Sequence, residues 1–413
     1  MLDLESFVYR KQLAEIVSRW MINKVDADDL RQLKRIVNFN LYISRIWLDR
    51  LTRDVLVALY GHEPRHRVAR TKGQIKDFVV EHPTYTNTRI DEMCARYRKF
   101  PEDFYRDTPI DGSYYIIDPI GNSRLGATTR LKRFQRIAEK GARRIIDFMF
   151  ARVRAKADEL ADERARSLGV ARNQLMTPHA KMVEEFAHAE RRVIKSIKQG
   201  TIHSDLRSQP IPDVAGIKLI AEDNEFPHVL ETLTKHGACS VVDIERHSGV
   251  YNAVNLHVGY KIPKAYLREF LPSGHYLNIL HFRGLDPEQV PRMYQEFLDH
   301  AEEQIHLEII VSNFQEYMES EIGRCMHEER ILSQRSHPDY NGNLATNVRH
   351  LMNYILGLCR GPGMPQIEDV PIKLWVKYMP DTIDNIMRAV YTPDELVFDA
   401  PPSAALAVPA DEG

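Results

Sequence analysis

Apolar residues recur with a helical period over the first 60 residues of the chain. Spacings of three and four residues place them on one side of a helix, the pattern of an amphipathic helix that packs on a core. The first stripe consists of Leu13, Ile16, Val17, Trp20 and Met21, and the second consists of Leu33, Ile36, Val37, Leu41 and Ser44. The pattern therefore predicts helices across this region.

From about residue 211 the pattern changes to an alternation of strands and helices. Strands are predicted at PDVAGIKLIAED (212–223), CSVVDIERH (239–247), VYNAVNLHVGYKIP (250–263) and HLEIIV (306–311), with a hairpin turn at HSG (247–249). Helices are predicted at FPHVLETLTKHG (226–237), PEQVPRMYQEFLDHAEEQ (287–304) and FQEYMESEIGRCMHEER (314–330). We therefore expect an α+β or α/β core with a mixed sheet of four or five strands.

The rest of the chain is predicted to be mostly helical. Residues 100–127 indicate turns around one short strand, YYII, residues 128–200 a long helical region, and IKLWVKY (372–378) a last strand after the stop at GPGMP (361–365). The predicted regions are a helical N-terminal region (1–125), a basic helical segment (126–205), the core (206–332), a helical C-terminal region (333–395) and a disordered tail (396–413).

Composition narrows the class of protein. Apolar residues make up 43% of the chain, charged residues 28%, and the formal net charge is −2, which is typical of a soluble globular protein and argues against a uniformly basic nucleic-acid coat. Neither a signal peptide nor a run of 18 apolar residues is recognisable, so we expect a cytoplasmic protein without a membrane partner. The four cysteines form no CxxC pair, which favours reduced thiols over a zinc ribbon. An oligomer is compatible with the sequence.

Two local patterns suggest partners or ions. Residues 128–156 hold ten Lys or Arg against two acids, which fits either a solvated helix face or a surface for RNA, tRNA or nucleotide phosphates along helix 130–156. HEPRH, from His62 to His66, formally fits the zinc-protease pattern H-E-x-x-H. Gly61 and Pro64 instead favour a loop after a helix that ends near Tyr60, so we expect no zinc site there.

Glu308 is unusual because it stands within the apolar run LEIIV. A charge in such a strand is either at an edge that faces water or part of a functional site. Asp213 likewise begins the apolar strand PDVAGIKLI. Two carboxylates at the starts of neighbouring strands can hold Mg²⁺, although acids are also common at strand ends without any such role.

Two further groups of residues are candidates for nucleotide binding. Arg192, Lys195 and Lys198 share one side of a predicted helix end, which fits either a polyphosphate site or a solvated face. Alternation in the strand near residue 255 places Val254, Leu256 and Val258 toward the core and Tyr251, Ala253, Asn255 and His257 on the other face. That second face fits either a base-stacking wall or an ordinary polar sheet surface.

Together these segments resemble the synthetase domain of the RelA/SpoT family of (p)ppGpp synthetases. The chain holds RVIKSI from Arg192, DVAGIK from Asp213, YNAVN from Tyr251 and EIIVSN from Glu308, in the family's order. They stand for the family's K-x-x-x-S-I, D-[LIV]-x-G-[IV]-R, G-Y-x-S-[LIV]-H and E-[IV]-Q-I-R-T segments. The resemblance covers roughly residues 180–330.

The helix after the last strand adds to the resemblance. Glu321, Gly323 and His327 follow Glu308 at offsets of 13, 15 and 19, the offsets of the family's E-x-G-x-x-x-H segment. The family transfers pyrophosphate from ATP to the 3′-hydroxyl of GTP or GDP on a nucleotidyltransferase-like mixed sheet, with AMP as the leaving group.

The resemblance implies roles for these residues. Asp213 and Glu308 would be the Mg²⁺ carboxylates, with Glu308 also a candidate to accept the hydroxyl proton. Tyr251 would stack on the acceptor base. The residues that would contact the nucleotides are Arg192, Lys195, Lys198, Lys218, Tyr251, Asn255 and His257.

Several positions depart from the family. Ile310 and Ser312 replace its Gln and Arg, Lys218 replaces an arginine, and Asn255 replaces a histidine for which His257 is a substitute. The segment between His257 and Glu308 is longer, and the His-Asp doublet of the family's hydrolase half is absent. Two alternatives therefore stay open: transfer to an adenine nucleotide or a tRNA 3′ end, and a degenerate domain that serves as a nucleotide-binding regulatory module.

Overall fold

A seven-stranded, mostly antiparallel sheet lies at the centre of the molecule. The structure is a computed structural model, and it describes residues 3–118, 123–201, 210–248, 252–323 and 342–390. The sheet strands are β2 (Arg65–Thr71), β3 (Pro109–Ile117), β4 (Arg124–Leu131), β6 (Ala215–Ile220), β7 (Cys239–His247), β8 (Ala253–Lys261) and β9 (Gln304–Ser312). Their order is β2-β3-β4-β6-β9-β8-β7, and β6 and β9 are the parallel pair. A separate parallel pair joins β1 (Asp3–Leu4) to β5 (Pro210–Ile211).

Helices surround this sheet. They are α1 (Arg10–Met21), α2 (Asp29–Tyr60), α3 (Lys72–Glu81), α4 (Thr88–Lys99), α5 (Phe134–Leu168), α6 (His179–Lys198), α7 (Phe226–Lys235), α8 (Lys264–Leu267), α9 (Gly274–Phe282), α10 (Val290–Asp299), α11 (Phe314–Met318), α12 (Asn343–Arg360) and α13 (Pro380–Val390). A π-helical turn, Glu319–Gly323, follows α11. No helix in the described part of the chain combines the length and the apolar character needed to cross a membrane.

The two faces of the sheet differ in chemistry. One face packs against α2, α7, α9 and α10, and its buried side chains include Ile217, Leu256 and Ile309. The opposite face carries charged and polar side chains at its centre. A smaller apolar cluster from α3, α4 and α11 covers one end of that second face, where Ile220 is buried.

A second large core is helical. Residues of α1, the first part of α2, α5, α6 and α12 form it, and the predicted stripe of α1 is buried there. The long helix α2 joins the two cores, because its early residues such as Leu33 pack in the helical core and its later residues such as Trp47 pack under the sheet.

Most predicted elements are confirmed. Helices α1 and α2 lie where the two stripes place them, and α2 ends at Tyr60. Strands β6, β7 and β8 lie within their predicted segments, and β9 extends beyond HLEIIV (306–311) at both ends. Strands β7 and β8 pair antiparallel, as the predicted hairpin requires, although residues 249–251 of their connection lie outside the described residues. The predicted tail lies wholly outside them.

Other predictions were wrong. The sheet has seven strands rather than four or five, and the region 1–125, although rich in helix, also supplies β2 and most of the hairpin β3–β4, where only YYII was expected. The helical region begins at Phe134 rather than near 128, because the preceding residues belong to β4. The segment IKLWVKY is not a strand: Ile372 and Leu374 are buried in the helical core without a strand partner.

Candidate functional site on the polar face of the sheet

Glu308 lies at the centre of the sheet, not at an edge. Its strand β9 is flanked by β6 on one side and by β8 on the other. Glu308 is directly opposite Gly216 in β6 and His257 in β8, and Gly216 is in turn opposite Arg130 in β4. Because opposed residues point to the same face of a sheet, these side chains share the face that the apolar core leaves uncovered.

Gly216 makes room in this row. It stands between Arg130 and Glu308 and carries no side chain, so no side chain of β6 separates these two charged residues in the row. A Cβ atom at Gly216 would come within 3.3 Å of the Glu308 carbonyl oxygen, which is a tight contact. Glycine therefore allows a ligand to approach the backbone between the two charged residues.

Asp213 joins this face from the short connection between β5 and β6. The Lys132 ammonium lies 2.7 Å from its carboxylate, and Lys140 from α5 forms a second ion pair with the same oxygen. Lys132 also donates a hydrogen bond to the backbone carbonyl of Asp213. Burial alone would raise the pKa of Asp213, but the two lysines hold it well below its usual range, so Asp213 is ionised at neutral pH.

Glu308 has the opposite electrostatic environment. Asn255 donates a hydrogen bond to its carboxylate at 3.0 Å. Burial, and then the neighbouring charge of Asp213, raise the pKa of Glu308, and Lys132 and Lys140 only partly offset this. The site thus contains two carboxylates in different environments. Asp213 is paired with two cations, whereas the nearby cations only partly balance the charge of Glu308, and such contrasts are typical of functional sites.

Lys132 is the most strongly perturbed cation of the site. Its side chain is 12% exposed, and burial lowers its pKa to about 7, against the opposing influence of Asp213. A partly buried lysine of this kind is poised to bind an anionic group because little hydration is left to remove.

A second charged cluster lies along the same face. Lys218 is two residues beyond Gly216 in β6, and its ammonium lies 3.1 Å from the carboxylate of Glu321 in the π-helical turn. Lys72 at the start of α3 lies 3.6 Å from the same carboxylate. The Lys218 ammonium also lies 5.1 Å from the centre of the Tyr317 ring. The structure therefore brings together Lys218 and Glu321, two residues that the sequence had placed in one site.

Beyond Glu308, the part of β9 on this face carries one apolar and one small residue. Ile310 is directly opposite Lys218, so no hydrogen-bonding side chain stands there. Ser312 is 4% exposed, and its hydroxyl makes no hydrogen bond to any residue that the structure describes. The space around Ser312 is closed, so an arginine at this position would need the surrounding residues to move.

Some predicted residues lie elsewhere. Arg192, Lys195 and Lys198 are exposed on α6, Lys198 lies over the ring of Trp375, and no hydrogen bond or ion pair between described residues links the three to Glu308. His257 is on the predicted face, but its Nε2 atom lies 3.2 Å from the carboxylate of Glu5. Tyr251 and His327 fall outside the described residues.

The sequence did not identify Lys132, Lys140 or Glu5. Lys132 and Lys140 belong to the basic stretch 128–156, where composition offered no way to tell a functional lysine from a solvated one. Glu5 comes from a segment more than 250 residues away from its histidine partner. Only the three-dimensional pairing of the strands places these residues beside the two carboxylates.

The donor set fits a magnesium ion. Mg²⁺ favours one or two protein carboxylates completed by water and substrate phosphates, and Asp213 and Glu308 supply two. Burial and the charge of Asp213 raise the pKa of Glu308, and a bound divalent cation would offset both effects. Comparison with protein-family models, with curated proteins and with solved structures finds no match for this chain.

Proposed function

We propose that this chain is a Mg²⁺-dependent pyrophosphokinase of the RelA/SpoT type, on a nucleotidyltransferase-like sheet, that transfers pyrophosphate from ATP to the 3′-hydroxyl of GDP or GTP. The observation that carries this proposal is the electrostatic coupling of two carboxylates beside Lys132 and Lys140: Asp213, just before β6, and Glu308 in β9, the strand parallel to β6. Two carboxylates for one cation and several ammonium groups for phosphates form the set that phosphoryl-transfer chemistry requires.

The charges of the face suit a triphosphate. Cationic side chains on this face outnumber the two carboxylates that would share the metal ion. They are Lys132, Lys140, Lys218 and Arg130. On nucleotide binding, phosphate oxygens would take over part of the ion pairing that Lys132 and Lys140 now make with Asp213. Lys132 and Lys140, released from Asp213, would then pair with the phosphate oxygens of ATP.

The transfer has a defined bond balance. The acceptor 3′-oxygen attacks the β-phosphorus of ATP, the bond from that phosphorus to the α–β bridging oxygen breaks, and AMP leaves. A bound Mg²⁺ would neutralise phosphate charge and align the groups for in-line displacement. Asp213 and Glu308 would hold the ion, Lys132 and Lys140 would orient the transferred group, and Glu308, whose pKa is raised, is the carboxylate placed to accept the hydroxyl proton.

A panel of acceptors tests the proposal. Purified protein is incubated with labelled ATP and Mg²⁺ and, separately, with GDP, GTP, AMP, ADP or deacylated tRNA. We expect AMP release and a labelled guanine nucleotide, both lost in Glu308→Gln and retained in the matched control Glu231→Gln, which changes an exposed glutamate on α7. Transfer by Glu308→Gln at the wild-type rate would refute the assignment. Labelled AMP, ADP or tRNA would instead identify another acceptor, with tRNA pointing to helix 130–156.

A second candidate function has specific support. Asp213 already has two lysine partners, and Ile310 and Ser312 offer no charged group to a phosphate. An ammonium group in the place of a metal would give a domain that binds a nucleotide without transferring pyrophosphate. ATP binding that needs no Mg²⁺, together with no transfer to any acceptor, would favour this regulatory module over the enzyme.

A further inference from the structure

Three potential metal ligands meet on the polar face, and one of them, His257, is a residue for which the resemblance implied a nucleotide contact. Glu5 follows β1, His257 is in β8, and His306 is in β9. One ligand atom from each residue can be chosen so that all three atoms lie within 4.8 Å of one another. Two imidazoles and one carboxylate are the ligands of many zinc and other first-row transition-metal sites.

Two imidazole nitrogens of this cluster make no hydrogen bond within the described part of the chain. They are the buried atoms His257 Nε2, which has only the Glu5 carboxylate close by, and His306 Nδ1. The Glu5 carboxylate lies 3.2 Å from His257 Nε2, and its side chain is only 14% exposed. The two rings lie side by side, with centres 5.2 Å apart. Buried polar atoms without partners call for an explanation, and a shared ligand supplies one for both histidines.

Backbone contacts already hold the three residues in position. The His306 amide donates a hydrogen bond to the Glu5 carbonyl at 3.0 Å. Ser6 donates to the His306 carbonyl at 2.8 Å, which fixes the segment that carries Glu5 against β9. Ligand atoms around a tetrahedral zinc ion lie about 3.4 Å apart, so small side-chain rotations would complete the site. His257, whose side chain is 31% exposed, leaves a path from solvent.

We propose that Glu5, His257 and His306 bind a divalent transition-metal ion such as Zn²⁺, with water as the remaining ligand. The site is chemically distinct from the carboxylate pair, because nitrogen ligands select Zn²⁺ over Mg²⁺. The metal fastens the N-terminal segment to β8 and β9. That segment also pairs with β5, where the Glu5 amide donates to the Ile211 carbonyl at 3.2 Å, two residues before Asp213. The ion therefore stabilises the part of the chain that positions Asp213.

Metal titration of the full chain tests this proposal without any reference to transfer activity. Protein stripped by a chelator is titrated with Co²⁺, whose visible absorption reports nitrogen ligation, and then with Zn²⁺ in a large excess of Mg²⁺. We expect one equivalent of each to bind and Zn²⁺ to raise the melting temperature. His306→Asn and Glu5→Gln should each weaken Zn²⁺ binding by about 100-fold or more, because losing an outer-shell partner alone costs about 10–100-fold.

Two controls separate this site from the rest of the molecule. His300→Asn removes an exposed histidine at the end of α10 and should leave Co²⁺ binding unchanged. Glu308→Gln should also retain the Co²⁺ spectrum, which separates the outcome from that of the proposed magnesium site. Absence of saturable binding, or equal binding by wild type and both ligand variants, would overturn the proposal. If His306→Asn does not fold, the comparison of wild type with Glu5→Gln decides.

Discussion

The Lys218 ammonium lies 3.1 Å from the Glu321 carboxylate, and this contact joins β6 to the π-helical turn that follows β9. The two residues are 103 positions apart in the chain. Lys218 stands where the RelA/SpoT pattern has an arginine, and Glu321 stands at the offset from Glu308 that the pattern specifies. Their contact means that two motif positions identified separately in the sequence belong to one surface.

Replacing Lys218 tests whether this surface binds phosphate. We expect Lys218→Met to lower kcat/KM for pyrophosphate transfer by about 10–1000-fold, because it removes a charge-stabilising donor from the face. Lys218→Arg should keep most of the activity or raise it, since a guanidinium can donate two parallel hydrogen bonds to a phosphate. Steady-state kinetics of both variants, beside Lys235→Met on exposed α7, provide the measurement. Wild-type kinetics in Lys218→Met would exclude the residue from the site.

The helices and the central strands were predictable because their side chains follow regular burial. In β8, Leu256 and Val258 pack into the core while Asn255 and His257 face the other way, as the alternation predicted. Glu308 was recognisable because a charge interrupts an apolar strand. In such strands the buried face requires apolar residues at every second position, so the alternation in the sequence identifies the buried face.

The strands β2 and β4 were missed for the converse reason. β2 is RHRVART, an edge strand in which Ala69 is the one fully buried residue, and β4 is RLGATTRL, which is rich in small and hydroxyl side chains. Neither has the apolar alternation of a typical strand, because pairing in a wide sheet supplies their stability instead. Lys132 directly follows β4, so the lysine with the most strongly lowered pKa in the site could not be placed without that strand.

Glu308→Gln should abolish transfer and stabilise the protein in the absence of ligands. Burial and the charge of Asp213 raise the pKa of Glu308, so its ionised form is less favourable in the folded protein than in the unfolded chain. The wild type should therefore lose stability relative to the variant as the pH rises from about 4.3, the ordinary value for glutamate, through the raised pKa. At acid pH, where both side chains are neutral, the difference should disappear. Melting temperatures across a pH series measure this effect.

Added Mg²⁺ should reverse the order of stability. A cation that binds the folded wild type through Asp213 and Glu308 stabilises it by mass action, whereas the amide variant has lost one of the two carboxylates. Melting curves at neutral pH, with and without Mg²⁺ and a non-hydrolysable ATP analogue, give the comparison. If the ion shifts both proteins equally, Glu308 is not a ligand.

Lys132→Met should raise the KM for ATP by about 10-fold or more and affect kcat less. The residue contacts Asp213 at 2.7 Å and is mostly buried, so its charge is little screened. Its loss also removes one of the two cations that lower the pKa of Asp213. Kinetics at several ATP concentrations separate the two parameters, with Lys181→Met on the exposed side of α6 as the control. A fall in kcat at unchanged KM would assign Lys132 to the transition state instead.

Lys34→Met should lower the free energy of unfolding by about 2–5 kcal/mol, because three buried carbonyl groups would lose their donor. Lys34 is fully buried in α2, and its ammonium donates hydrogen bonds to the carbonyls of Arg283, Gly361 and Gly363 at 2.9, 2.7 and 2.7 Å. It thereby ties α2 to the end of α9 and to the loop after α12. Urea denaturation measures the change, and an unaltered midpoint would show that the carbonyls find other partners.

The position of the label in ATP distinguishes pyrophosphate transfer from the transfer of a single phosphate. Pyrophosphate transfer moves both the β- and the γ-phosphate and releases AMP, whereas an ordinary kinase moves the γ-phosphate alone and releases ADP. With GDP and Mg²⁺ present, we expect a labelled product from either [β-³²P]ATP or [γ-³²P]ATP and one AMP for each product molecule. Neither the product nor AMP should form with Asp213→Asn or Glu308→Gln. Product labelled from the γ-position alone, or release of ADP in place of AMP, would contradict the pyrophosphokinase proposal.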